Sequence, residues 1–174
     1  EESVPTAAAA GTSRFTMPTF DVPAKGAVLM SRDTGEVLYA KNADERMPMA
    51  SITKVMTLLL TFDALDAGKI SMTDIVPVSE HSYSMGGSQI WLEPGEQFTL
   101  DEMIRAICVS SANDAAVAVA EYVGGSEPVF AEMMNKKAEE LGMVNTHFVN
   151  ACGLDTENHY SSAHDVAIMS REML

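Results

Sequence analysis

The sequence predicts an α+β fold, a helical cluster packed on an antiparallel sheet. Three observations carry that expectation. Ala27-Val28-Leu29-Met30 and Val37-Leu38-Tyr39-Ala40 are β-prone runs on either side of Asp33-Thr34-Gly35, which reads as a hairpin. The next segment, Ser51 to Ala67, is apolar almost all round a helical axis, so it needs partners on several sides. Helical segments then dominate to the end of the chain. A length of 174 residues suffices for one domain with a sizeable core and is too short for two full ones.

Residues 1–22 read as a leader or extended arm, disordered by composition, with an alanine run at 7–10 and prolines at 5 and 18. The hairpin places Gly35 where a positive φ is wanted. Gly68 ends the first helix in the position of a C-terminal cap. Residues 69–99 carry Gly86-Gly87 and Pro94-Gly95 and read as irregular structure with short strands. Asp101 to Val109 and Asn113 to Val123 read as consecutive helices, the second closed by Gly124-Gly125. Ser126 caps another, with Pro128 in its first turn, which stops at Gly142. A last helix begins near Ser162, with Asp165 placed for a capping box, and runs to Leu174. Met56, Met103, Met133, Met134 and Met169 read as core filling, and Trp91 is expected to pack.

Eleven basic against twenty-five acidic residues leave a net charge of −14, which argues against binding nucleic acid or anionic lipid surfaces. No apolar run is long enough to span a bilayer. Cys108 and Cys152 are too few for a disulfide framework; one bridge and two separate thiols both remain open. His159 and His164, with Asp155 and Asp165 nearby, match no common zinc spacing and read as capping, turn or surface residues.

Chemistry concentrates at Ser51-Ile52-Thr53-Lys54. Residues three apart on a helix share a face. A lysine near a helix N-terminus meets the positive end of the macrodipole, and burial there favours the neutral amine. A neutral amine beside a hydroxyl can take its proton and leave an activated nucleophile. Alone, Ser-x-x-Lys also arises by chance. Ser110-Ser111-Ala112-Asn113-Asp114, taken alone, equally suits plain N-capping. Together, sixty residues apart and in order, they match two of the three elements of a serine acyl-transfer signature: Ser-x-x-Lys, Ser-x-Asn and Lys-Thr-Gly.

From Pro23 to Leu174 the chain resembles the D-alanyl-D-alanine carboxypeptidases, low-molecular-mass penicillin-binding proteins of serine peptidase family S11. The similarity runs through Thr34-Gly35-Glu36-Val37-Leu38-Tyr39, Met49-Ala50-Ser51-Ile52-Thr53-Lys54, Ser111-Ala112-Asn113-Asp114-Ala115-Ala116, Asn145-Thr146-His147-Phe148, Gly153-Leu154-Asp155 and Tyr160-Ser161-Ser162-Ala163. The resemblance implies a DD-peptidase/β-lactamase-like fold with no metal or organic cofactor. It implies Ser51 as acylated nucleophile and Lys54 as its base. It implies Ser111 as a proton relay toward the leaving amine. Asn113 would hold the substrate carbonyl and help fix Lys54. The substrate would be a peptidoglycan stem peptide losing its terminal D-alanine outside the cytoplasmic membrane, and β-lactam antibiotics would acylate the same serine.

The third element, Lys-Thr-Gly, is not among the 174 residues. In the family it lies on a strand downstream of the last helix. Residues 23–174 are therefore expected to be an incomplete catalytic domain. Its C-terminal strands would come from the rest of the same polypeptide or from another chain, and full activity would require them. A serine β-lactamase fits less well: Glu157-Asn158 with Ser161 lacks that class's Glu-x-x-x-Asn loop, and Ser-Ala-Asn replaces its Ser-Asp-Asn. A catalytically silent cell-wall-binding protein of the same fold is the reading from outside enzymology.

Overall fold

The structure is a computed structural model and describes residues 21–174. The leader expected over residues 1–22 lies almost wholly outside these. Strands β1 (Ala27–Met30) and β2 (Val37–Lys41) form the expected antiparallel hairpin, with Ala27 opposite Lys41 and Leu29 opposite Tyr39. Gly35 takes φ +73° in the turn, and Ser31 N–H donates to the Glu36 carbonyl to close it. A single 3₁₀ turn (Ala50–Ile52) leads into α1 (Thr53–Asp66). A second small ribbon pairs β3 (Ile75–Pro77) with β4 (Gln97–Thr99). Between them lies α2 (Glu80–Tyr83), a short helix held by a reciprocal Ser79–Ser82 capping box. The rest is helical: α3 (Leu100–Ser110), α4 (Asn113–Gly124), α5 (Glu127–Glu140) and α6 (Ala163–Met173). This is the helical cluster with small antiparallel sheets that the sequence predicts.

Two apolar cores meet across the domain. One gathers Val76, Leu92, Leu100, Met103 and Ile107. The other gathers Met56, Leu60, Phe130, Met134 and Met169. Helix α4 joins them, and every residue from Asn113 to Ala120 is buried. Its alanines let neighbours approach closely, so α4 rather than α1 is the most enclosed helix. Helix α1 packs against α4, α5 and α6. Its apolar ring is interrupted by three buried threonines, Thr53, Thr57 and Thr61, whose hydroxyls must be paired. Thr57 Oγ1 donates to the Ala151 carbonyl at 2.6 Å and Thr61 Oγ1 to the Thr57 carbonyl at 2.7 Å.

Three expectations need correction. Trp91 does not pack: it is 79% exposed with φ +62°. The carboxylate of Asp114 accepts the N–H groups of Ile90 and Leu92 on either side of it, and Leu92 takes the core position instead. The α6 cap is one-sided: Ser162 Oγ accepts from Asp165 N–H, but the Asp165 carboxylate turns to Asn145 N–H and Thr146 Oγ1. His159 is not a surface residue: its N–H closes a turn on the Thr156 carbonyl, and its side chain is buried against α1. Met56, Met103, Met134 and Met169 are fully buried, as expected of core filling. Both cysteines are free, Cys108 exposed and Cys152 buried. Among the described residues no helix is long and apolar enough to cross a membrane.

Candidate active site

Ser51 sits in the 3₁₀ turn that opens α1, and Lys54 lies one turn on. Their side chains share a face, with Lys54 Nζ 3.1 Å from Ser51 Oγ. Ser51 is exposed whereas Lys54 is 4% exposed. The nucleophile therefore faces solvent while its partner is shielded beneath it. The residue before the serine, Ala50, holds φ +47°, a conformation that costs a non-glycine residue roughly 1–3 kcal/mol and persists only where surroundings impose it.

Two further groups hold the amine. Lys54 Nζ donates to Asn113 Oδ1 at 2.7 Å and to the Cys152 carbonyl at 2.7 Å. Asn113 is positioned at the N-terminus of α4. Its Nδ2 donates to the Gly86 carbonyl at 2.6 Å and its backbone N–H to the Ser88 carbonyl at 2.7 Å. The Cys152 carbonyl is aimed by an Asx turn: Asn150 Oδ1 accepts from Cys152 N–H and Gly153 N–H.

Burial is the main cause that holds the Lys54 amine below the usual lysine range; a thiolate at Cys152 would act the other way, but burial pushes that thiol's own pKa up. A neutral amine has two hydrogens and one lone pair. With the hydrogens committed to Asn113 Oδ1 and the Cys152 carbonyl, the lone pair is left for the third direction, which is Ser51 Oγ. The arrangement can therefore draw the hydroxyl proton onto nitrogen as Ser51 attacks an electrophile. In this opening turn Ile52 N–H donates to the Met49 carbonyl and Thr53 N–H to the Ala50 carbonyl, so neither is left for a developing oxyanion.

Of the four residues singled out by sequence, Ser51, Lys54 and Asn113 are in direct contact. Ser111 is on the same edge, two residues before Asn113, half-buried in a left-handed conformation with φ +53° at the end of α3. Its hydroxyl has no hydrogen-bond partner among the described residues.

Sequence reasoning missed the support beneath the motif. His159 Nδ1 accepts from Val149 N–H at 3.0 Å, so the ring proton must sit on Nε2, which lies 2.8 Å from Thr53 Oγ1. Thr53 is the third residue of the Ser-x-x-Lys motif. Burial is the leading cause that holds the His159 pKa below its ordinary value. The unfolded chain therefore binds this proton more readily, and stability from a neutral His159 is complete above about pH 6.5 and declines as pH falls below it. Thermal melts from pH 7.5 to 5 should show His159→Gln losing less stability with acidification than the parent; equal slopes would assign the acid sensitivity elsewhere.

The sequence pattern of the peptidase S11 family, D-alanyl-D-alanine carboxypeptidase, matches residues 12–174. The chain is 60% identical over 151 residues to D-alanyl-D-alanine carboxypeptidase DacF of Bacillus subtilis, covering 87% of this chain and 39% of that protein. It is 36% identical over 159 residues to DacC of Escherichia coli, covering 88% and 40%. The chain thus spans about two fifths of these relatives. Among solved structures, DacD of Francisella tularensis superposes with a TM-score of 0.87 at 35% identity, over 94% of this chain and 40% of that one. Penicillin-binding protein 5 of Haemophilus influenzae gives 0.86 at 38% identity, over 90% and 46%. With an exposed serine hydroxyl on a buried lysine and the family pattern over nearly its whole length, the chain belongs to the D-alanyl-D-alanine carboxypeptidase family of serine peptidases, S11.

Proposed function

We propose that the protein is a serine-type D-Ala-D-Ala carboxypeptidase that removes the terminal D-alanine of peptidoglycan stem peptides through an acyl-enzyme. The observation that carries this reading is the Lys54 amine, buried, lowered in pKa, and 3.1 Å from the Ser51 hydroxyl with its other donors already engaged. Ser51 Oγ attacks the carbonyl of the scissile bond and its proton passes to Lys54 Nζ. Ser111 relays that proton from Lys54 to the departing D-alanine amine, leaving an ester on Ser51 and the Lys54 amine neutral again. Water then hydrolyses the ester and restores the hydroxyl. Asn113 Nδ2 keeps one hydrogen beyond the one given to Gly86, and that hydrogen is available to the substrate carbonyl. The Ser51 N–H serves as one oxyanion donor.

Residues 23–174 form part of the catalytic domain in this reading. The Lys-Thr-Gly strand, which would bind the substrate carboxylate and supply the second oxyanion donor, comes from further strands of the same polypeptide or from another chain. Beside β1 runs an apolar groove of about 520 Å³ lined by Ala27, Val28, Pro48, Ile52, Ala163 and Val166, which suits such strands. The reading sets the protein outside the cytoplasmic membrane, where stem peptides are exposed.

β-Lactams present a strained amide to the same serine. A relative with 29% identity and a TM-score of 0.79, penicillin-binding protein D2 of Listeria monocytogenes, is known in an ampicillin-bound form. Full-length protein incubated with a fluorescent penicillin is expected to carry a long-lived covalent label that Ser51→Ala abolishes. Rapid loss of the label would favour a β-lactamase. A folded protein that never labels would be the catalytically silent wall-binding relative.

A further inference from the structure

Asp114 is 1% exposed, and its carboxylate is fully engaged by backbone N–H groups. Oδ2 accepts from Ile90 N–H and Leu92 N–H, both at 3.1 Å, and Oδ1 accepts from Ala115 N–H at 2.9 Å. The grip is strong enough to hold the exposed Trp91 between those two donors at φ +62°. The gripped segment returns two carbonyls, Gly86 and Ser88, to the side chain and backbone of Asn113. Asn113 Oδ1 in turn holds Lys54 Nζ. Hydrogen bonds of 2.6–3.1 Å thus link Asp114 to residues 90–92, and the same segment, through Gly86 and Ser88, to Asn113, Lys54 and Ser51.

We propose that Asp114 is a positioning residue: it fixes the Gly86–Leu92 segment, and through it the orientation of Asn113 that keeps Lys54 enclosed against Ser51. The inference rests on the reading of Ser51 and Lys54 given above, but one of its tests does not require catalysis. A carboxylate has two acceptor oxygens, whereas an asparagine side chain has one and would turn an NH₂ toward a backbone N–H. Asp114→Asn therefore loosens the segment with little change of volume. Water then reaches Lys54, and relief of its burial raises its pKa toward the usual lysine range. Loss of the Asp114 charge acting directly would move Lys54 the opposite way, so the sign separates positioning from long-range electrostatics.

The same relay can be loosened from its other end. A Cβ on Gly87 would lie 2.7 Å from Asn113 Nδ2, so Gly87→Ala pushes the segment off Asn113 without touching Asp114. The test follows the Lys54 side chain by NMR titration in full-length protein, and in parallel the pH dependence of acylation by a fluorescent penicillin. Asp114→Asn and Gly87→Ala should each raise the Lys54 titration and slow acylation ~100-fold at neutral pH, the loss expected for a misplaced reacting group. The double variant should be little worse than the poorer single one. Asp101→Asn, an equal loss of charge at an exposed ion pair on α3, should match the parent. An unchanged or lowered Lys54 titration in Asp114→Asn overturns the proposal whether or not the parent labels. So do multiplicative losses in the double variant, or an Asp114→Asn chain that does not fold, which would make Asp114 a residue of the fold rather than of the site.

Discussion

Lys54→Met is expected to slow acylation of Ser51 by penicillin ~10⁴-fold, the upper end of what a positioned general base contributes. Methionine keeps the length of the lysine stem but has no lone pair to take the Ser51 proton and no hydrogen for Asn113 Oδ1 or the Cys152 carbonyl. Two acceptors are left buried, so some stability is lost as well, at about 1–3 kcal/mol for each. Lys54→Arg separates the two effects. Guanidinium keeps donors for both carbonyl oxygens but does not deprotonate in proteins. It should therefore acylate as poorly as Lys54→Met while retaining more of the parent's melting temperature. Rapid-quench acylation and thermal melts on the same samples provide both numbers. An Arg variant within tenfold of the parent would mean that Lys54 acts by its charge rather than as a base.

Gly153→Ala is expected to damage both the fold and the site. Gly153 holds φ +91°, and a Cβ there would lie 1.9 Å from the Ala50 carbonyl oxygen and 3.0 Å from Ser51 N. The close approach is what seats the Cys152 turn against the opening of α1, where the Cys152 carbonyl meets Lys54. Both neighbours are backbone and cannot rotate away. Strain at the left-handed position and displacement of the α1 opening together should cost about 3 kcal/mol or more. For a chain of this length that is a melting temperature lower by roughly 10 °C. Gly142→Ala is the matched control, with a similar φ of +76° but nothing within 4 Å of the added carbon. It should cost about 1 kcal/mol and leave acylation intact. If the two variants melted together, the contact at Ala50 would have no energetic weight.

What could be read from the sequence was local. Ser51 and Lys54 are three apart on a helix, so their meeting follows from the helical repeat once α1 is recognised. Ser126 capping α5 and the glycines closing α1 and α4 are signals within one turn of the element that they bound. What could not be read runs between distant segments and ends on the main chain. The Cys152 carbonyl that holds Lys54 is 98 residues away from it and would be present whatever residue stood at 152. His159 meets Thr53 across 106 residues, and its buried role depends on a turn with no sharp signature. Trp91 shows the reverse: composition says that a large aromatic packs, yet the Asp114 carboxylate takes the flanking N–H groups and turns the indole out. At Asp165 the capping-box spacing is genuine, but Asn145 N–H and Thr146 Oγ1 compete successfully for the carboxylate.

The pairing of Ser51 with Lys54 is most directly tested by locating the covalent adduct itself. After reaction of the full-length protein with penicillin at pH 8, trypsin should release the peptide from Met47 to Lys54 with the penicilloyl mass added, and fragmentation should assign that mass to Ser51. An adduct found on any other residue, or an unmodified Met47-to-Lys54 peptide from protein that has demonstrably bound the drug covalently, would contradict the account.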